Sequence, residues 1–412
     1  MTWKETRLKH LCVDSGQYGL NVPADHYSAA GTRLIRTSDI AADGTLRDAE
    51  CGVHVDMTIE ARHQLAPGDI LLSRSGTLGR SFLIPEQAQG YTFAGFLIRF
   101  RPKPGVEPRF LNYATQSAGF QGTVHSEAVA STIQNFNADR YANISMRVPA
   151  LEEQQRIADF LDAETAHIDQ LVDLRSNQMQ LVKEWYASTL DAAFSRDNHA
   201  PTRLKYLLAS RPRYGVLVPQ FIDGDGVRFI RVNDLLDLPG RAASLRRIPK
   251  ELSSQYARTV TQAGDVLLSV VGTMGRSAIV PPELEGANVA RAVASLRPRV
   301  GIPPELISAW LTTPEFMRQA ALATSSDTAQ PTLGMEDLSN FSLFWPDTPA
   351  AQRDLLRIIQ TTQERYKSLT RAFQAQSRLF AERRQALINA AVTGQFDVST
   401  ASGRNVTEGV SV

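Results

Sequence analysis

The sequence repeats itself along nearly its whole length, and this duplication restricts the possible folds more than any other feature. The segment Gly68-Asp69-Ile70-Leu71-Leu72-Ser73 returns as Gly264-Asp265-Val266-Leu267-Leu268-Ser269, 196 residues later. Further pairs keep this offset, or an offset of 197 near the end of each half: 7–11 with 203–207, 18–19 with 214–215, 76–81 with 272–277, 101–102 with 297–298, 148–149 with 345–346, and 155–156 with 352–353. One order of segments in each half predicts two related domains.

Composition divides each half again. Residues 1–149 and 200–346 contain most of the Gly and Pro together with short apolar, β-branched runs, which are typical of strands between turns. We predict that these segments, here called the first and second lobe, are mixed α/β domains. Residues 150–199 and 347–396 have almost no Gly or Pro and are rich in helix-forming residues, which predicts two long helices. Residues 397–412 are expected to form a flexible tail.

Apolar residues in the second helical segment follow the four-and-three spacing of a coiled-coil seam. The positions of this seam are Leu355, Ile359, Thr362, Tyr366, Leu369, Phe373, Gln376, Phe380, Arg383, Leu387 and Ala390. The first helical segment has an interrupted stripe at Ile157, Leu161, Ile168, Leu171, Val182 and Trp185. Since each stripe would otherwise face water, we predict an antiparallel coiled coil with pseudo-two-fold symmetry that holds the lobes about 70 Å apart. The alternative is that the helices form only a stalk.

Composition and motifs argue against catalysis by this chain. The 412 residues contain neither a Gly-x-x-x-x-Gly-Lys-Ser/Thr loop for nucleotide triphosphates nor an Asn-Pro-Pro-Tyr-type tetrapeptide of adenine methyltransferases. The seven histidines are scattered and the only cysteines are Cys12 and Cys51, so we expect no metal site and no catalytic residue. Without a long apolar run or an apolar leader, the chain is expected to be cytoplasmic and away from membranes. A net charge of +1 requires any DNA-binding surface to be a local patch.

The duplicated turn after the Gly-Asp-Ile-Leu-Leu-Ser run is the first candidate for contact with nucleic acid. It covers residues 73–80 in the first lobe and 269–276 in the second. Its glycines let backbone amides approach a phosphate, and hydroxyl and guanidinium groups add hydrogen-bond donors. The alternative is a tight loop with solvated arginines. Arg74 is expected to act in the first lobe alone, because the second lobe has Val270 there. The predicted phosphate contacts are Thr77, Arg80, Thr273 and Arg276.

Polar residues that end two apolar runs are the second candidate. Arg36 and Ser38 in the first lobe, and Arg231 and Asn233 in the second, are placed to reach base edges. They differ between the lobes, as two lobes that read different sequences should, although drift in exposed loops would give the same difference. Gln134, in a Ser/Thr-rich segment, either contacts DNA or caps local backbone.

Two helical motifs carry a family resemblance that covers nearly the whole chain. Residues 148–162, which include Glu152-Glu153-Gln154-Gln155-Arg156, resemble the helix-opening signature of specificity subunits of type I restriction-modification enzymes. Residues 382–395 resemble that family's second-repeat terminus, and the Gly-Asp-Ile-Leu-Leu-Ser and Gly-Thr-x-Gly-Arg segments resemble its recognition domains. The second helix opens without the acidic pair and the first ends without Val-Thr-Gly, which leaves the symmetry of partner docking open.

This resemblance implies two target recognition domains, each reading one half of an interrupted site on double-stranded DNA. It implies that the helices set the gap and dock two methyltransferase (M) subunits, through positions that include Gln155, Arg156, Gln352 and Arg353. Restriction (R) subunits would supply ATP-driven translocation and cleavage. S-adenosylmethionine, ATP and Mg would then belong to the partner subunits, and this chain would hold no cofactor.

Three other functions are compatible with the sequence. The chain could serve a related restriction system in which methylation and cleavage share one partner chain. It could be a coiled-coil adaptor whose lobes bind protein, in which case neutralising Arg80 and Arg276 would cost no function. A free-standing nuclease would cut DNA by itself in a metal-dependent reaction.

Overall fold

The computed structural model describes residues 3–41, 45–46, 52–129, 135–195, 199–272, 274–324, 332–395 and 398. Gln134, Thr273 and almost all of the predicted tail lie outside these residues. The chain divides into two compact units, with residues 1–175 and 375–412 in unit 1 and residues 176–374 in unit 2. The first lobe therefore lies in unit 1 and the second lobe in unit 2.

Unit 1 contains short strands and helices that precede the first long helix. They are β1 (Lys4–Arg7), α1 (Leu8–Leu11), β2 (Gln17–Tyr18), β3 (Tyr27–Ser28), β4 (Thr32–Ile35), β5 (His54–Val55), β6 (Ile70–Ser73), β7 (Ser81–Leu83), β8 (Thr92–Phe93), β9 (Leu97–Phe100), α2 (Pro108–Gln116), α3 (Ala118–Val129), α4 (Ala138–Asn143) and β10 (Ser145–Val148). The first long helix, α5 (Leu151–Ala193), begins in unit 1 and ends in unit 2. One four-stranded sheet has the order β2-β9-β6-β7 and the other has the order β3-β5-β4-β8, while β1 pairs with β10. The β4–β8 pair is parallel.

Unit 2 repeats this arrangement. Its elements are β11 (Ala200–Arg203), α6 (Leu204–Leu207), β12 (Arg213–Tyr214), β13 (Val227–Ile230), α7 (Leu238–Arg241), β14 (Arg247–Ile248), α8 (Lys250–Gln255), β15 (Val266–Ser269), β16 (Ser277–Ile279), β17 (Asn288–Val289), β18 (Val293–Leu296), α9 (Pro304–Trp310), α10 (Pro314–Ala323), α11 (Met335–Asn340), β19 (Ser342–Trp345) and α12 (Pro349–Thr393). The sheet β12-β18-β15-β16 matches the first sheet of unit 1, and β13 pairs with β17 in parallel as β4 does with β8.

The repeated run at 70–72 is wholly apolar because β6 is covered on both faces. Ile70 and Leu72 belong to a core with the helices α2 to α4, whereas Leu71 belongs to a second core with Phe82 and Phe93. Side chains alternate across a strand, so a strand between two cores needs apolar residues at every position. The equivalent strand β15 is buried in the same way, and the predicted mixed α/β lobes are confirmed.

The two long helices pair within each unit. In unit 1, Ile157 and Leu161 near the start of α5 share a buried cluster with Leu387 near the end of α12. In unit 2, Leu190 near the end of α5 shares one with Leu355 near the start of α12. Start therefore meets end in both units, and the helices are antiparallel as predicted. No helix in the described ranges is both long and apolar enough to span a membrane.

The predicted seam is wrong at two positions. Tyr186 stacks on Tyr366 of the partner helix, with ring centroids 4.4 Å apart. Trp185 instead stays about one-third exposed and contacts that helix through Arg365, whose guanidinium carbon lies 5.4 Å from the Trp185 ring centroid. On α12, Arg383 is exposed, and Arg384 turns inward to an ion pair with Asp169. An α-helix has 3.6 residues per turn, so a strict seven-residue repeat drifts around its surface over many turns.

The alignment of the first turns of α5 and α12 that the sequence repeat indicated also differs from the structure by one residue. The Gln154 and Gln352 side chains donate to the carbonyls of Pro149 and Pro346, at 2.9 and 3.2 Å. The helices are therefore equivalent at an offset of 198 rather than 197. Gln155, which the repeat had matched with Gln352, is instead exposed to solvent.

Candidate nucleic-acid interface

The turn at 73–80 is held by its own first serine. The Ser73 hydroxyl donates to the Thr77 carbonyl and accepts from the Arg80 amide at 3.1 Å. Gly76 and Gly79 have φ values of 75° and 77°, a left-handed conformation that other residues rarely adopt. The turn thus presents Thr77 on an exposed tip. In unit 2 the Ser269 hydroxyl likewise accepts from the Arg276 amide, at 3.0 Å.

Tyr141 is a residue of this turn's support that sequence reasoning missed. Its hydroxyl donates to the Ser73 carbonyl at 2.7 Å and accepts from the Gly79 amide at 2.9 Å. The ring is fully buried, and this burial raises the pKa of the phenol. The equivalent residue in unit 2 is Leu338, which has no hydroxyl, so the two turns are supported differently.

Arg74 lies across one face of Tyr18, with its guanidinium carbon 4.9 Å from the ring centroid. Its Nε donates to Asn135 Oδ1 at 3.2 Å, and a terminal nitrogen lies 3.4 Å from the Gly95 carbonyl. Val270 occupies this position in unit 2 and is fully buried. The side chain that follows the central strand is therefore polar and tethered in one lobe and apolar in the other.

The two shared arginines differ in their surroundings. The Arg80 guanidinium donates to the Ile40 carbonyl at 2.6 Å. The half-buried Arg276 guanidinium makes no hydrogen bond or ion pair with any residue that the structure describes. Arg276 therefore has its donors available for a ligand, whereas Arg80 would have to share or exchange a backbone contact.

Arg36 and Arg231 are both tied to a buried carboxylate three residues later. Asp39 accepts from the Arg36 amide at 3.0 Å and from its guanidinium at 2.9 Å. Asp234 does the same for Arg231, at 2.9 and 3.1 Å. These contacts cap a short 3-10 turn and raise the pKa of Arg36, chiefly through the hydrogen bond to Asp39. In the sequence, the aspartate three residues after each arginine is the feature that indicates this capping contact.

Base contact by these strand-end residues stays a prediction. Ser38 and Asn233 are exposed, so they project from the turns that the arginines cap. No group of three or more His, Cys, Asp or Glu suited to a metal ion occurs within the described part of the chain. The geometry supplies hydrogen-bond donors on turns, which is what contact with phosphates and base edges requires.

Comparison with known proteins points to one family. Residues 61–178 match the family model described as "Type I restriction modification DNA specificity domain". The type I restriction enzyme EcoBI specificity subunit of Escherichia coli is 28% identical over 249 residues, which cover 54% of this chain and 52% of that protein. The StySPI specificity subunit of Salmonella potsdam is 22% identical over 229 residues, covering 52% and 48%. The chain spans about half the length of these curated relatives.

Two solved structures share the fold. One comes from a study of complex assembly and conformational transition of the type I R-M system; it has a TM-score of 0.68 and 19% identity, over 96% of this chain and 98% of that one. The HsdS subunit from Thermoanaerobacter tengcongensis has a TM-score of 0.50 and 19% identity, over 96% and 97% of the two chains. The likeness extends beyond the specificity domain to both lobes and both long helices.

Proposed function

We propose that this chain is a specificity subunit of the type I restriction-modification family, that its two lobes bind duplex DNA and that each lobe reads one part of a split target. The main support for the proposal is that the two lobes share one backbone fold but have different side chains at and beneath the candidate DNA-contacting turn. Both lobes place a glycine turn after the same buried strand, but Arg74 and Tyr141 of the first are Val270 and Leu338 of the second. One frame with two sets of side chains suits two different base sequences.

The long helices are the proposed docking surface for two methyltransferase subunits, which would in turn recruit restriction subunits. Gln155, Arg156 and Arg353 are exposed near the helix starts, and Arg156 pairs with Glu153. Gln352 is the weakest of the predicted docking residues, because its amide already donates to Pro346. S-adenosylmethionine, ATP and Mg would be held by those partners, and this chain would do no chemistry. We place this assembly in the cytoplasm, with the DNA.

The test is target selection by the chain co-expressed with a methyltransferase encoded beside it. The complex is incubated with a random duplex library, the enriched motif is sequenced, and methylated adenines are mapped in the host genome. We expect two short motifs at a fixed spacing. An intact complex that enriches no motif would instead favour a protein adaptor, and cutting by the purified chain alone would favour a nuclease.

A single substitution tests the assignment of one half-site to each lobe. Arg74→Val gives the first lobe the side chain of the second lobe at this position. We expect altered preference in one half of the motif, with the other half and the spacing unchanged, because a good side-chain contact to a base is worth about 1–3 kcal/mol. The matched control is Arg62→Gln, which removes an exposed first-lobe charge that Glu60 already pairs. A change in both halves would contradict independent reading.

A further inference from the structure

The second lobe contains an open cleft of about 700 Å³ beside strand β12. Arg213 and Tyr214 form one wall, and Gln255, Tyr256 and Arg258 form much of the other. Its lining includes no acidic residue. A cleft bordered by two guanidinium groups and two phenol rings is chemically suited to an anion attached to a flat or apolar group.

Neither arginine of this cleft has a counterion among the residues that the structure describes. Arg258 is exposed and Arg213 is half-buried, and the guanidinium of neither forms a hydrogen bond or ion pair with a described residue. Elsewhere in unit 2, Arg231 and Arg297 are both paired with buried aspartates. The positive charge of the cleft is therefore left for something outside the lobe.

The duplication provides an internal comparison, because the first lobe has different charged residues at the positions equivalent to the cleft. There β2 presents Gln17 opposite Arg99, where β12 presents Arg213 opposite Ser295. Arg99 points inward and binds Asp14 at 3.1 Å and the Arg62 carbonyl at 2.8 Å. The second lobe has Ser210 at the position of Asp14, so both the inward arginine and its acid are gone.

The second wall has lost an acid as well. In the first lobe, Glu60 pairs with Arg62 at 2.7 Å, beside a 3-10 turn at Ala61–His63. The equivalent turn, Ala257–Thr259, keeps the arginine as Arg258, but Tyr256 stands where the first lobe has Glu60. The first lobe thus has two ion pairs, Arg99 with Asp14 and Arg62 with Glu60. The equivalent region of the second lobe has two arginines, Arg213 and Arg258, that pair with no described acid.

The cleft borders the candidate DNA-contacting turn of its lobe. The Tyr214 hydroxyl donates to the Leu333 carbonyl at 2.6 Å, and the Leu333 amide donates at 3.0 Å to the carbonyl of Val270, the second residue of that turn. Burial raises the pKa of Tyr214 above its ordinary value, so its hydroxyl remains the donor in this contact well above neutral pH. Two hydrogen bonds thus connect one wall of the cleft to the turn.

We propose that this cleft binds a backbone phosphate of duplex DNA through Arg213 and Arg258, and that the first lobe has no equivalent contact. The inference rests on the proposed DNA binding and adds an asymmetry to it. The second lobe holds the duplex with additional, sequence-independent charge, whereas the first lobe relies on its other contacts.

The test measures binding of the full chain to a fluorescein-labelled duplex of random sequence by anisotropy, across a range of NaCl concentrations. Arg213→Gln with Arg258→Gln should weaken binding about tenfold and lower the slope of log K against log[salt] by about one to two, since each neutralised phosphate contributes about 0.9. Arg62→Gln is the matched control, because Glu60 already neutralises Arg62, and should change neither quantity.

A second variant keeps both arginines. Tyr256→Glu restores the first-lobe acid beside Arg258 and should weaken binding by charge pairing. Because the Tyr256 ring packs against the buried cluster around Phe229, binding is measured at a temperature where urea unfolding shows the variant to be fully folded. Wild-type protein that binds no duplex at any salt concentration would refute the proposed function and the cleft together. Wild-type binding that both variants leave unchanged would refute the cleft alone. Unchanged DNA binding with loss of the co-purified methyltransferase would assign the cleft to a protein carboxylate instead.

Discussion

Asp69 and Arg101 form a two-pronged ion pair beneath the central sheet of unit 1, with nitrogen–oxygen distances of 2.6 and 2.7 Å. Asp265 and Arg297 repeat it in unit 2, at 2.9 and 2.8 Å. Both aspartates are almost fully buried, and Asp69 also accepts from the Ala66 amide. The repeated Gly-Asp and Arg-Pro motifs are therefore two ends of one contact that ties the start of the buried strand to the end of its neighbour.

Removal of the Asp69 carboxylate should lower the free energy of unfolding of unit 1. Asp69→Ala leaves the Arg101 guanidinium without its partner, and because Arg101 is about one-third exposed, water replaces part of the lost contact and the expected cost is about 1.5–3 kcal/mol. Urea unfolding followed by circular dichroism measures the loss. Asp225→Ala is the control, because Asp225 forms an exposed pair with Lys250 and should change little. Equal effects of the two substitutions would contradict the structural role of Asp69.

Substitution of Tyr186 should destabilise the helix pair more than substitution of its neighbour Trp185. Tyr186→Ala removes a half-buried ring that stacks on Tyr366, at a cost of about 2 kcal/mol. Trp185→Ala removes a ring that is about one-third exposed together with its cation–π contact to Arg365, at a cost of about 1 kcal/mol. The difference between the two midpoints of urea unfolding checks this. A larger loss for Trp185→Ala would restore the seam that the heptad pattern predicted.

Loss of the Tyr141 hydroxyl should loosen the first-lobe turn. Tyr141→Phe keeps the buried ring but removes both hydrogen bonds to the turn, which costs about 1–2 kcal/mol. Hydrogen exchange of a peptide covering 73–80, read by mass spectrometry, should be faster in the variant. Tyr91→Phe is the control, since the Tyr91 hydroxyl bonds no residue among those described. Unchanged exchange would show that Ser73 alone holds the turn.

His63 should make the protein less stable in mild acid. Burial first, and the charge of Arg62 second, lower the pKa of His63 below its ordinary value of 6.5. The unfolded chain then binds a proton that the folded chain resists, so stability is complete above that value and falls as the pH drops through it. His63→Thr, which copies Thr259 of the second lobe, should flatten this loss in urea unfolding. An identical pH dependence in both proteins would contradict the assignment.

The two shared arginines should behave differently when they are replaced singly. Arg276→Ala should weaken binding to every duplex and lower the salt slope by about one, with unchanged stability, because its guanidinium has no partner within the described residues. Arg80→Ala should also lower stability, since it loses the hydrogen bond to Ile40. Anisotropy and urea unfolding on the same samples separate the two effects. An unchanged slope for Arg276→Ala would remove the phosphate assignment.

Duplication, lobes and long helices were all readable in the sequence by itself, because each depends on local composition or on a period along the chain. The fully apolar run at 70–72 and the glycines at 76 and 79 belong to this class, since burial on both faces and a positive φ each restrict the residue type directly.

Only the tertiary structure decided which charges are paired and which helix face is buried. Arg101 and Arg297 look free in the sequence, yet each pairs with a buried aspartate 32 residues earlier, while Arg213 and Arg258 look ordinary and have no counterion among the described residues. Tyr186 replaces Trp185 in the seam because small differences in helical phase add up over many turns. Pairing depends on side chains that converge from strands far apart in sequence, and no local pattern records that convergence.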